Sequence, residues 1–449
     1  MEDTIVAIAT SAGIGAINII RLSGSNTFSI VSKVCDKDVD SFVSNSINYC
    51  HIIFNNEVID EVLISVFRGP KSYTKEDIIE INTHGGYAAT NKVLAVLLEN
   101  GARMAQPGEF IKRAFLNGRI DLTQAEAVGD IINANTENAR KVGVAGLTGK
   151  ISKLVNDLKS DIIKINSNIQ VNIDYPEYED EVQVTNTMLK EKISCMKKQL
   201  FEIINNSKNV LITKNGINVA IIGSPNVGKS SLLNNLIGEN KAIVTDIAGT
   251  TRDIVEGKII VEGIEINLID TAGIRDTDDK VEKIGVSKSY EVLSKANLVL
   301  MVIDINTKIS AFEKNILEKI DREKSIIVLN KSDLKNNCDY DFSLYNTVET
   351  TAISQNGTHK LVEKIKDMFK FDKLKVNDYS YVSNARQEAI INQAYNMILD
   401  IEKSVNNNVP VDLIEIDLQV LWEKLSEITG EVYQIELLDN IFKNFCLGK

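Results

Sequence analysis

The stretch GSPNVGKSS, residues 223–231, fits the phosphate-binding pattern G-x-x-x-x-G-K-[ST]. It lies between a strand pattern, NVAII (218–222), and a helical run, SSLLNNLIG (230–238). This strand–loop–helix context makes the pattern a specific signal. Gly223 and Gly228 allow the chain to turn tightly, so that successive backbone N–H groups can face phosphate oxygens. The sequence therefore predicts a nucleotide-binding α/β domain around this loop.

The side chains after the loop supply the rest of a triphosphate site. Lys229 is expected to reach the β- and γ-phosphates, and the hydroxyl of Ser230 to coordinate Mg²⁺. The N-terminus of the following helix adds partial positive charge at the same place. A chance glycine-rich turn is the alternative interpretation, and later motifs weigh against it.

Two of those motifs end predicted strands. DTAG (270–273) follows INLI, which puts Asp270 where a carboxylate near Mg²⁺ belongs and the Gly273 N–H where it can sense a γ-phosphate. NKSD (330–333) ends IIVLN, and the Asp333 carboxylate can accept from both N–H groups on the Watson–Crick edge of guanine. Adenine offers no such pair of donors, so ATP would leave this buried carboxylate unpaired. The sequence therefore predicts GTP as the nucleotide.

The segment VTDIAGTTRD (244–253) is the candidate switch. Its Thr251 offers a hydroxyl to Mg²⁺, and Arg252 is either an arginine finger acting in cis or a solvent-facing structural residue. In Ras-like GTPases a glutamine just after the DxxG segment orients the attacking water. Here that position is Ile274, so another group must orient the water.

A weaker motif, TAI (351–353), matches the loop that contacts the guanine carbonyl. Mg²⁺ is expected at Ser230 and Thr251. The predicted GTP-contacting residues are Asn226, Val227, Gly228, Lys229, Ser230, Ser231, Thr245, Asp246, Ile247, Ala248, Gly249, Thr250, Thr251, Asp270, Thr271, Ala272, Gly273, Asn330, Lys331, Ser332, Asp333, Thr351, Ala352 and Ile353.

Composition excludes several classes of protein. The 449 residues are 44% hydrophobic and 25% charged, which is typical of a globular protein of two to four domains. The net charge of −12 argues against a protein that coats nucleic acid, and no apolar run is long enough to span a bilayer. The five cysteines show no C-x-x-C spacing, which indicates neither a zinc site nor a disulfide framework. With an acidic N-terminus, MEDTIVAIAT, a reducing cytoplasm fits best.

The most basic stretch is RMAQPGEFIKRAFLNGR (103–119), which contains Arg103, Lys112, Arg113 and Arg119. It is either a local surface for nucleic acid or the solvated face of a helix.

The pattern of predicted elements changes along the chain. Residues 1–85 read as short β runs broken by Gly, Ser and Asn, and long helical periods begin at about residue 120. Thr123 followed by Glu126 predicts the capping box of that first helix. From residue 217 strands and helices alternate, and after about residue 374 helices return. An α/β unit inserted into a helical domain is therefore predicted.

The segments GSPNVGKSSLLN, IVTDIAGTTRD, IDTAGIRDTDDKVEKIG and FCLGK together resemble the MnmE (TrmE) family of tRNA modification GTPases. The resemblance extends to N-terminal segments such as DTIVAIAT, DIIEINTHGG and PGEFIKRAFLNGRIDLTQAEAV. It implies an α+β tetrahydrofolate-binding domain over residues 1–118 and a helical domain over 119–213 and 374–449. A P-loop GTPase domain, with a doubly wound, mostly parallel sheet, would be inserted over 214–373.

The resemblance also implies a K⁺-dependent GTP hydrolase that forms a homodimer. Asn226, Thr245, Ile247 and Thr250 match the family positions that coordinate K⁺, an ion that supplies the charge of an arginine finger. Glu282 matches the residue that orients the attacking water. Without the resemblance, Glu282 is only a surface acid on a helix.

A cofactor site is implied as well. Arg21, Glu80, Arg119 and Lys449 match family positions that contact a tetrahydrofolate derivative, either 5-formyl- or 5,10-methylene-tetrahydrofolate. The family usually has lysine where this chain has Arg119, so the charge is kept but a planar fork replaces a point donor.

Cys446 is the candidate for chemistry beyond GTP hydrolysis, whether it attacks carbon, relays a proton or shapes the pocket. A buried inert thiol is the alternative. Prenylation does not fit, because Gly448 and Lys449 are wrong for the last two positions of a lipidation box.

The implied activity needs a partner. With the FAD-dependent protein MnmG (GidA), in a heterotetramer, the chain would add an aminomethyl or carboxymethylaminomethyl group to C5 of uridine 34 in certain tRNAs. No DNA or membrane partner is expected. The alternative is a regulatory GTPase that binds ribosome or RNA as an assembly checkpoint and modifies nothing. That alternative explains the GTPase motifs, but neither the N-terminal segments nor the C-terminal CLGK.

Overall fold

The computed structural model describes residues 3–11, 13–174, 186–239, 257–270, 296–351, 357–369 and 381–448. Contacts within the chain define two compact units. The first comprises Met1–Gly129, Gly146–Lys197 and Ile390–Lys449, and the second comprises Asp130–Ala145 and Lys198–Ala389. The domain boundaries expected at residues 118, 213 and 374 stay a prediction.

The first unit is built on a six-stranded sheet. Its strands are β1 (Ile5–Ile8), β2 (Ile17–Ser23), β3 (Ser46–Phe54), β4 (Glu57–Phe67), β5 (Ile78–His84) and β6 (Arg103–Met104). The spatial order is β3-β4-β5-β2-β1-β6, and every neighbouring pair is antiparallel except β1 with β6. Alternate residues such as Ile20, Leu22, Ile79 and Ile81 are fully buried, which is the period-two pattern of a sheet with one covered face.

The second unit holds a parallel sheet. Its strands are β7 (Ile217–Ile222), β8 (Gly257–Val261), β9 (Ile264–Asp270), β10 (Leu298–Asp304), β11 (Ser325–Asn330) and β12 (Asn346–Glu349). The order is β12-β11-β10-β7-β9-β8, and only β8 runs antiparallel to its neighbour. Every residue of β10 is buried, as expected for a strand covered on both faces. The carboxyl ends of β7, β10 and β11 therefore meet at one edge, where ligands bind in such sheets.

Helices complete both units. They are α1 (Thr27–Ser32), α2 (Tyr87–Glu99), α3 (Glu109–Leu116), α4 (Leu122–Ile132), α5 (Glu137–Leu147), α6 (Lys150–Asp174), α7 (Asn186–Asn215), α8 (Lys229–Glu239), α9 (Ala311–Lys319), α10 (His359–Phe369), α11 (Ala385–Asn406), α12 (Val411–Thr429) and α13 (Ile435–Phe442). In the first unit α6 packs along α12. Among the helices that the structure describes, none has both the length and the apolar composition needed to cross a lipid bilayer. The predicted fold class, a P-loop α/β domain with a helical domain and an N-terminal α+β domain, is confirmed.

The capping box of α4 lies two residues before the predicted one. Asp121 accepts at Oδ1 from the Gln124 backbone N–H (3.0 Å), and Gln124 accepts at Oε1 from the Asp121 N–H (3.1 Å). Thr123 instead lies buried and shares a 2.8 Å hydrogen bond with Ser152. The prediction of a box at Thr123 was therefore wrong, because a second sequence with the same three-residue spacing, D-x-x-Q, satisfies the first turn.

Two arginines of the basic stretch around α3 belong to one ion-pair cluster, which is buried at Arg113 and exposed at Arg103. Arg113 is 1% exposed and pairs with Asp3, Glu76 and Glu109 within 3.1 Å, while Arg103 pairs with Asp3 and Glu109. Burial works to raise the pKa of Glu109, but hydrogen bonds from both arginines outweigh it and hold that pKa below its usual value. Both earlier interpretations, a nucleic-acid surface and a solvated helix face, are wrong for Arg113, which is buried, whereas the Arg103 side chain is 44% exposed.

Candidate functional site: the nucleotide loop and the C-terminal tail

The phosphate-binding loop connects β7 to α8, as predicted. Asn226 and Gly228 adopt left-handed backbone conformations, with φ of 64° and 99°. A Cβ atom at Gly228 would lie 2.3 Å from the Asn330 side-chain nitrogen, and one at Gly223 would lie 2.4 Å from the Val302 carbonyl oxygen. Both predicted glycines are therefore required by close contacts, since no side chain fits at either position.

Lys229 begins α8 and turns back over the loop. Its Nζ donates to the carbonyl oxygens of Gly223 (2.6 Å) and Ser224 (3.0 Å). The ammonium group and the helix N-terminus thus lie at the same place, and both favour an anion such as a phosphate. Ser230 and Ser231 occupy the first turn of the helix, next to that charge.

Asn330 ties the loop to the guanine motifs. Its side chain is 2% exposed; Nδ2 donates to the Val227 carbonyl (2.8 Å), and Oδ1 accepts from the Thr350 hydroxyl (3.1 Å). The Ser332 N–H donates to the Thr350 carbonyl (3.1 Å). The loop, the NKSD segment and the segment after β12 are therefore held as one piece by buried hydrogen bonds.

Lys331 forms the next contact between the same segments. It adopts a left-handed conformation (φ 61°), donates from Nζ to the Asn226 carbonyl (3.2 Å) and pairs with the Asp304 carboxylate. Asp304 ends β10 and is buried. Sequence reasoning missed Asp304, although a carboxylate at the carboxyl end of a fully apolar strand was a signal that could have indicated it.

Asp333 lies beside Thr351, and the Thr351 hydroxyl donates to Asp333 Oδ1 at 2.7 Å. This hydrogen bond orients the carboxylate that was predicted to read guanine. The predicted weak motif and the NKSD segment are thus brought together by the fold.

Asp270 ends β9, whose backbone pairs with β7 at Ile221, so it lies at the same sheet edge. Several predicted residues lie outside the described part of the chain: Thr245, Asp246, Ile247, Ala248, Gly249, Thr250, Thr251, Thr271, Ala272, Gly273, Glu282, Ala352, Ile353 and Lys449.

A second group of predicted residues meets in the first unit. Arg21 on β2 stands directly opposite Glu80 on β5, and its Nε donates to Glu80 Oε1 at 2.8 Å. Its Nη1 donates to the carbonyl oxygen of Gly448 at 3.0 Å. The Arg21 guanidinium carbon also lies 5.6 Å from the ring centroid of Tyr73 and 5.8 Å from that of Phe110. One arginine therefore joins the sheet, two aromatic rings and the C-terminal tail.

Arg119 joins the same group through Tyr73. Its guanidinium carbon lies 4.6 Å from the Tyr73 ring centroid, so two cations contact this ring. Burial raises the pKa of the Tyr73 hydroxyl, against the opposing influence of the two arginines. The hydroxyl oxygen is buried and makes no hydrogen bond with the described residues. Sequence reasoning missed Tyr73 and Phe110, because aromatic residues in a loop and a helix carry no pattern for this role.

The C-terminal tail after α13 is fixed to the N-terminal sheet. Gly448 has φ of 92°, and a Cβ there would lie 2.7 Å from the Ile8 carbonyl oxygen and from Ala9 Cα. The Cys446 carbonyl accepts from the Gly108 N–H at 3.4 Å, while the Cys446 side chain is exposed. The alternative of a buried inert thiol at Cys446 is therefore wrong.

The chain matches two family models. Residues 4–119 match the model described as "GTP-binding protein TrmE N-terminus", and residues 122–446 match "MnmE helical domain". The "tRNA modification GTPase MnmE" of Lactiplantibacillus plantarum is 45% identical over 456 aligned positions, which cover 100% of this chain and 98% of that protein. The protein of the same name from Streptococcus thermophilus is 46% identical over 450 positions, with 100% and 98% covered.

Solved structures match a smaller part of the chain. The G domain of the Thermotoga maritima FeoB iron transporter is 29% identical, with a TM-score of 0.25, over 34% of this chain and 98% of that domain. The full-length sequence matches decide the assignment: this chain belongs to the MnmE family of tRNA modification GTPases, and it is a GTPase involved in tRNA modification.

Proposed function

We propose that this chain is a K⁺-dependent GTPase that, with an FAD-dependent partner of the MnmG type, modifies C5 of uridine 34 in certain tRNAs. A tetrahydrofolate derivative would supply the one-carbon unit of the aminomethyl or carboxymethylaminomethyl group. GTP hydrolysis would drive conformational change and leave the carbon chemistry to the first unit. The working form would be a homodimer within a heterotetramer, in the cytoplasm where tRNA is processed.

The observation that carries this proposal is the contact of the C-terminal tail with Arg21. A GTPase has no use for a tail held by a left-handed Gly448 against two sheet strands, with an exposed cysteine two residues earlier. A folate cofactor, in contrast, is a flat ring system with N–H donors and an anionic glutamyl tail. Glu80 offers a carboxylate to such donors, while Arg21 and Arg119 offer cations to the anionic end. The checkpoint alternative gives this arrangement no purpose.

Residues of the second unit would bind the nucleotide. Lys229 would bind the β- and γ-phosphates, and Asp333, oriented by Thr351, would accept from the guanine N–H groups. Ser230 fits Mg²⁺, since its hydroxyl lies in the first turn of α8 at the phosphate position. When bound, that ion supplies charge to the phosphate oxygens.

The K⁺ assignment rests on the family positions. Asn226 offers an amide oxygen from the turn of the loop, where its carbonyl also accepts from Lys331. GTP hydrolysis measured in KCl and in NaCl at equal ionic strength tests the assignment. A clearly higher rate in KCl, lost in Asn226→Ala, is expected; equal rates in the two salts refute it.

The modification itself is tested by mass spectrometry of the nucleosides from tRNA. Cells lacking the gene should lose the modified wobble uridine, and the wild-type gene should restore it. Cys446→Ser should fail to restore it while purified Cys446→Ser still hydrolyses GTP at the wild-type rate. Cys195→Ser, which changes an exposed cysteine on α7, is the matched control and should restore the nucleoside. Normal tRNA from cells that carry only Cys446→Ser would refute the role of the tail.

A further inference from the structure

Two dipeptides with metal-binding side chains meet at the edge of the first sheet. Cys35-Asp36 follows α1, and Cys50-His51 lies in β3. Cys35 forms an isolated antiparallel bridge with Ile52, and the Asp36 N–H donates to the His51 carbonyl at 3.1 Å. This pairing places the two cysteines diagonally on the same face of the paired segments. The fold therefore brings together side chains that are 15 residues apart in sequence.

Three ligand atoms are close enough to share one ion. Cys35 Sγ, Cys50 Sγ and a carboxylate oxygen of Asp36 all lie within 4.8 Å of one another. Around a tetrahedral metal with sulfur ligands near 2.3 Å and oxygen near 2.1 Å, neighbouring ligand atoms are about 3.5 Å apart. Side-chain rotations that bring the three ligand atoms about 1 Å closer to one another would reach that geometry.

The Asp36 carboxylate is already oriented. Its Oδ1 accepts from the His51 backbone N–H (2.8 Å), and its Oδ2 lies 2.8 Å from His51 Nδ1. Cys50 is fully buried and Cys35 half-buried against the apolar core of the sheet, whereas Asp36 faces solvent. Metal sites commonly combine buried sulfur ligands with an outer hydrogen bond that holds a ligand in place.

We propose that Cys35, Asp36 and Cys50 bind a thiophilic divalent cation of the Zn²⁺ type, with His51 as the residue that positions Asp36. Two thiolates and a carboxylate suit such an ion better than Mg²⁺ or Ca²⁺, which take oxygen ligands. Binding forms two metal–sulfur bonds and releases the two thiol protons to solvent. The ion would link the segment after α1 to the edge strand β3, and so stabilise the N-terminal sheet independently of GTP.

A disulfide is the competing use of the same two cysteines. It would need an oxidant and would leave the oriented carboxylate without a purpose. The nearby Asp36 is thus the feature that favours the metal.

The test is a Co²⁺ titration of the reduced full-length chain. Cobalt bound by thiolates gives a sulfur-to-metal charge-transfer absorption, whereas cobalt at an oxygen site such as the Mg²⁺ position gives none. The wild-type chain should develop this band up to one equivalent, and Zn²⁺ should abolish it. Cys35→Ser should lose the band, and His51→Ala should weaken Co²⁺ binding by roughly 10- to 100-fold.

Controls separate the site from the other thiols and from misfolding. Cys195→Ser/Cys338→Ser removes two cysteines outside the group and should keep the full band. Asp36→Asn keeps both sulfurs and should retain a band but bind Co²⁺ at least about tenfold more weakly. The proposal is overturned if the reduced wild-type chain shows no sulfur band at one equivalent or if the control double variant loses it. A Cys35–Cys50 disulfide formed by mild oxidant, with no metal uptake by the reduced chain, would also overturn it.

Discussion

Replacing Asn330 with alanine should loosen the phosphate-binding loop through the loss of two contacts within the protein. The change removes the donor to the Val227 carbonyl and the acceptor for the Thr350 hydroxyl, both in buried positions. Each buried polar group left unpaired costs about 1–3 kcal/mol. We therefore expect the closed loop to lose about 2–6 kcal/mol, which is a factor of roughly 30 to 25,000 in the opening equilibrium.

Two measurements on the full-length chain test this expectation. Amide hydrogen exchange, followed by mass spectrometry, should become faster in the peptide spanning residues 223–231. Titration with a fluorescent GDP analogue should show a dissociation constant at least tenfold larger than that of the wild type, because binding must first close the loop. Asn337→Ala is the matched control: its exposed side chain bonds only to Asn306, and both readouts should stay near the wild-type values.

The reasoning is refuted if Asn330→Ala leaves exchange in the loop unchanged and GDP affinity within twofold of the wild type. That result would mean that the glycine conformations alone hold the loop closed.

Three further predictions follow from the first unit. Arg113→Met should lower the free energy of unfolding by about 3–5 kcal/mol in urea titrations, because it removes the buried guanidinium that pairs with Glu76 and Glu109, whereas the exposed Arg140→Ala should change it by less than about 0.5 kcal/mol. The pKa of His84, raised by its hydrogen bond to Asp60, should exceed 6.5 in an NMR titration and fall in Asp60→Asn. The contribution of this pair to the stability of the fold is complete below pH 6.5 and is lost as the pH rises through the higher pKa of the folded state. Gly448→Ala should displace the tail through its 2.7 Å contacts, so that tRNA modification falls while the GTP hydrolysis rate is unchanged.

The predictions from sequence succeeded where a function depends on neighbours along the chain. The phosphate loop is one example: its glycines, Lys229 and the helix that follows lie within a few residues, and the structure puts them together as expected. Most strands were also visible as apolar runs. Strand β3 gives a weaker signal because, as an edge strand, it alternates exposed and half-buried residues without a clear apolar face until Cys50.

What sequence patterns could not supply are the contacts between distant segments. Nothing near Arg113 indicates that Asp3 and Glu76 will bury it, and a basic stretch looked like a surface. The cysteine spacing likewise predicted no metal site. The strand pairing that brings Cys35 close to Cys50 joins distant segments, and no local sequence motif indicates it.

The sequence by itself determined the nucleotide loop and the family, and it predicted the segments that would read guanine. These depend on short-range backbone geometry and on residue types at set spacings. Only the tertiary structure decided that Asn330 and Lys331 hold the loop, that Arg21 binds the tail at Gly448, and which charges are buried. The physical reason is that hydrogen bonds and ion pairs form between whichever groups the packed sheets bring within about 3 Å, and sequence separation places no limit on that choice.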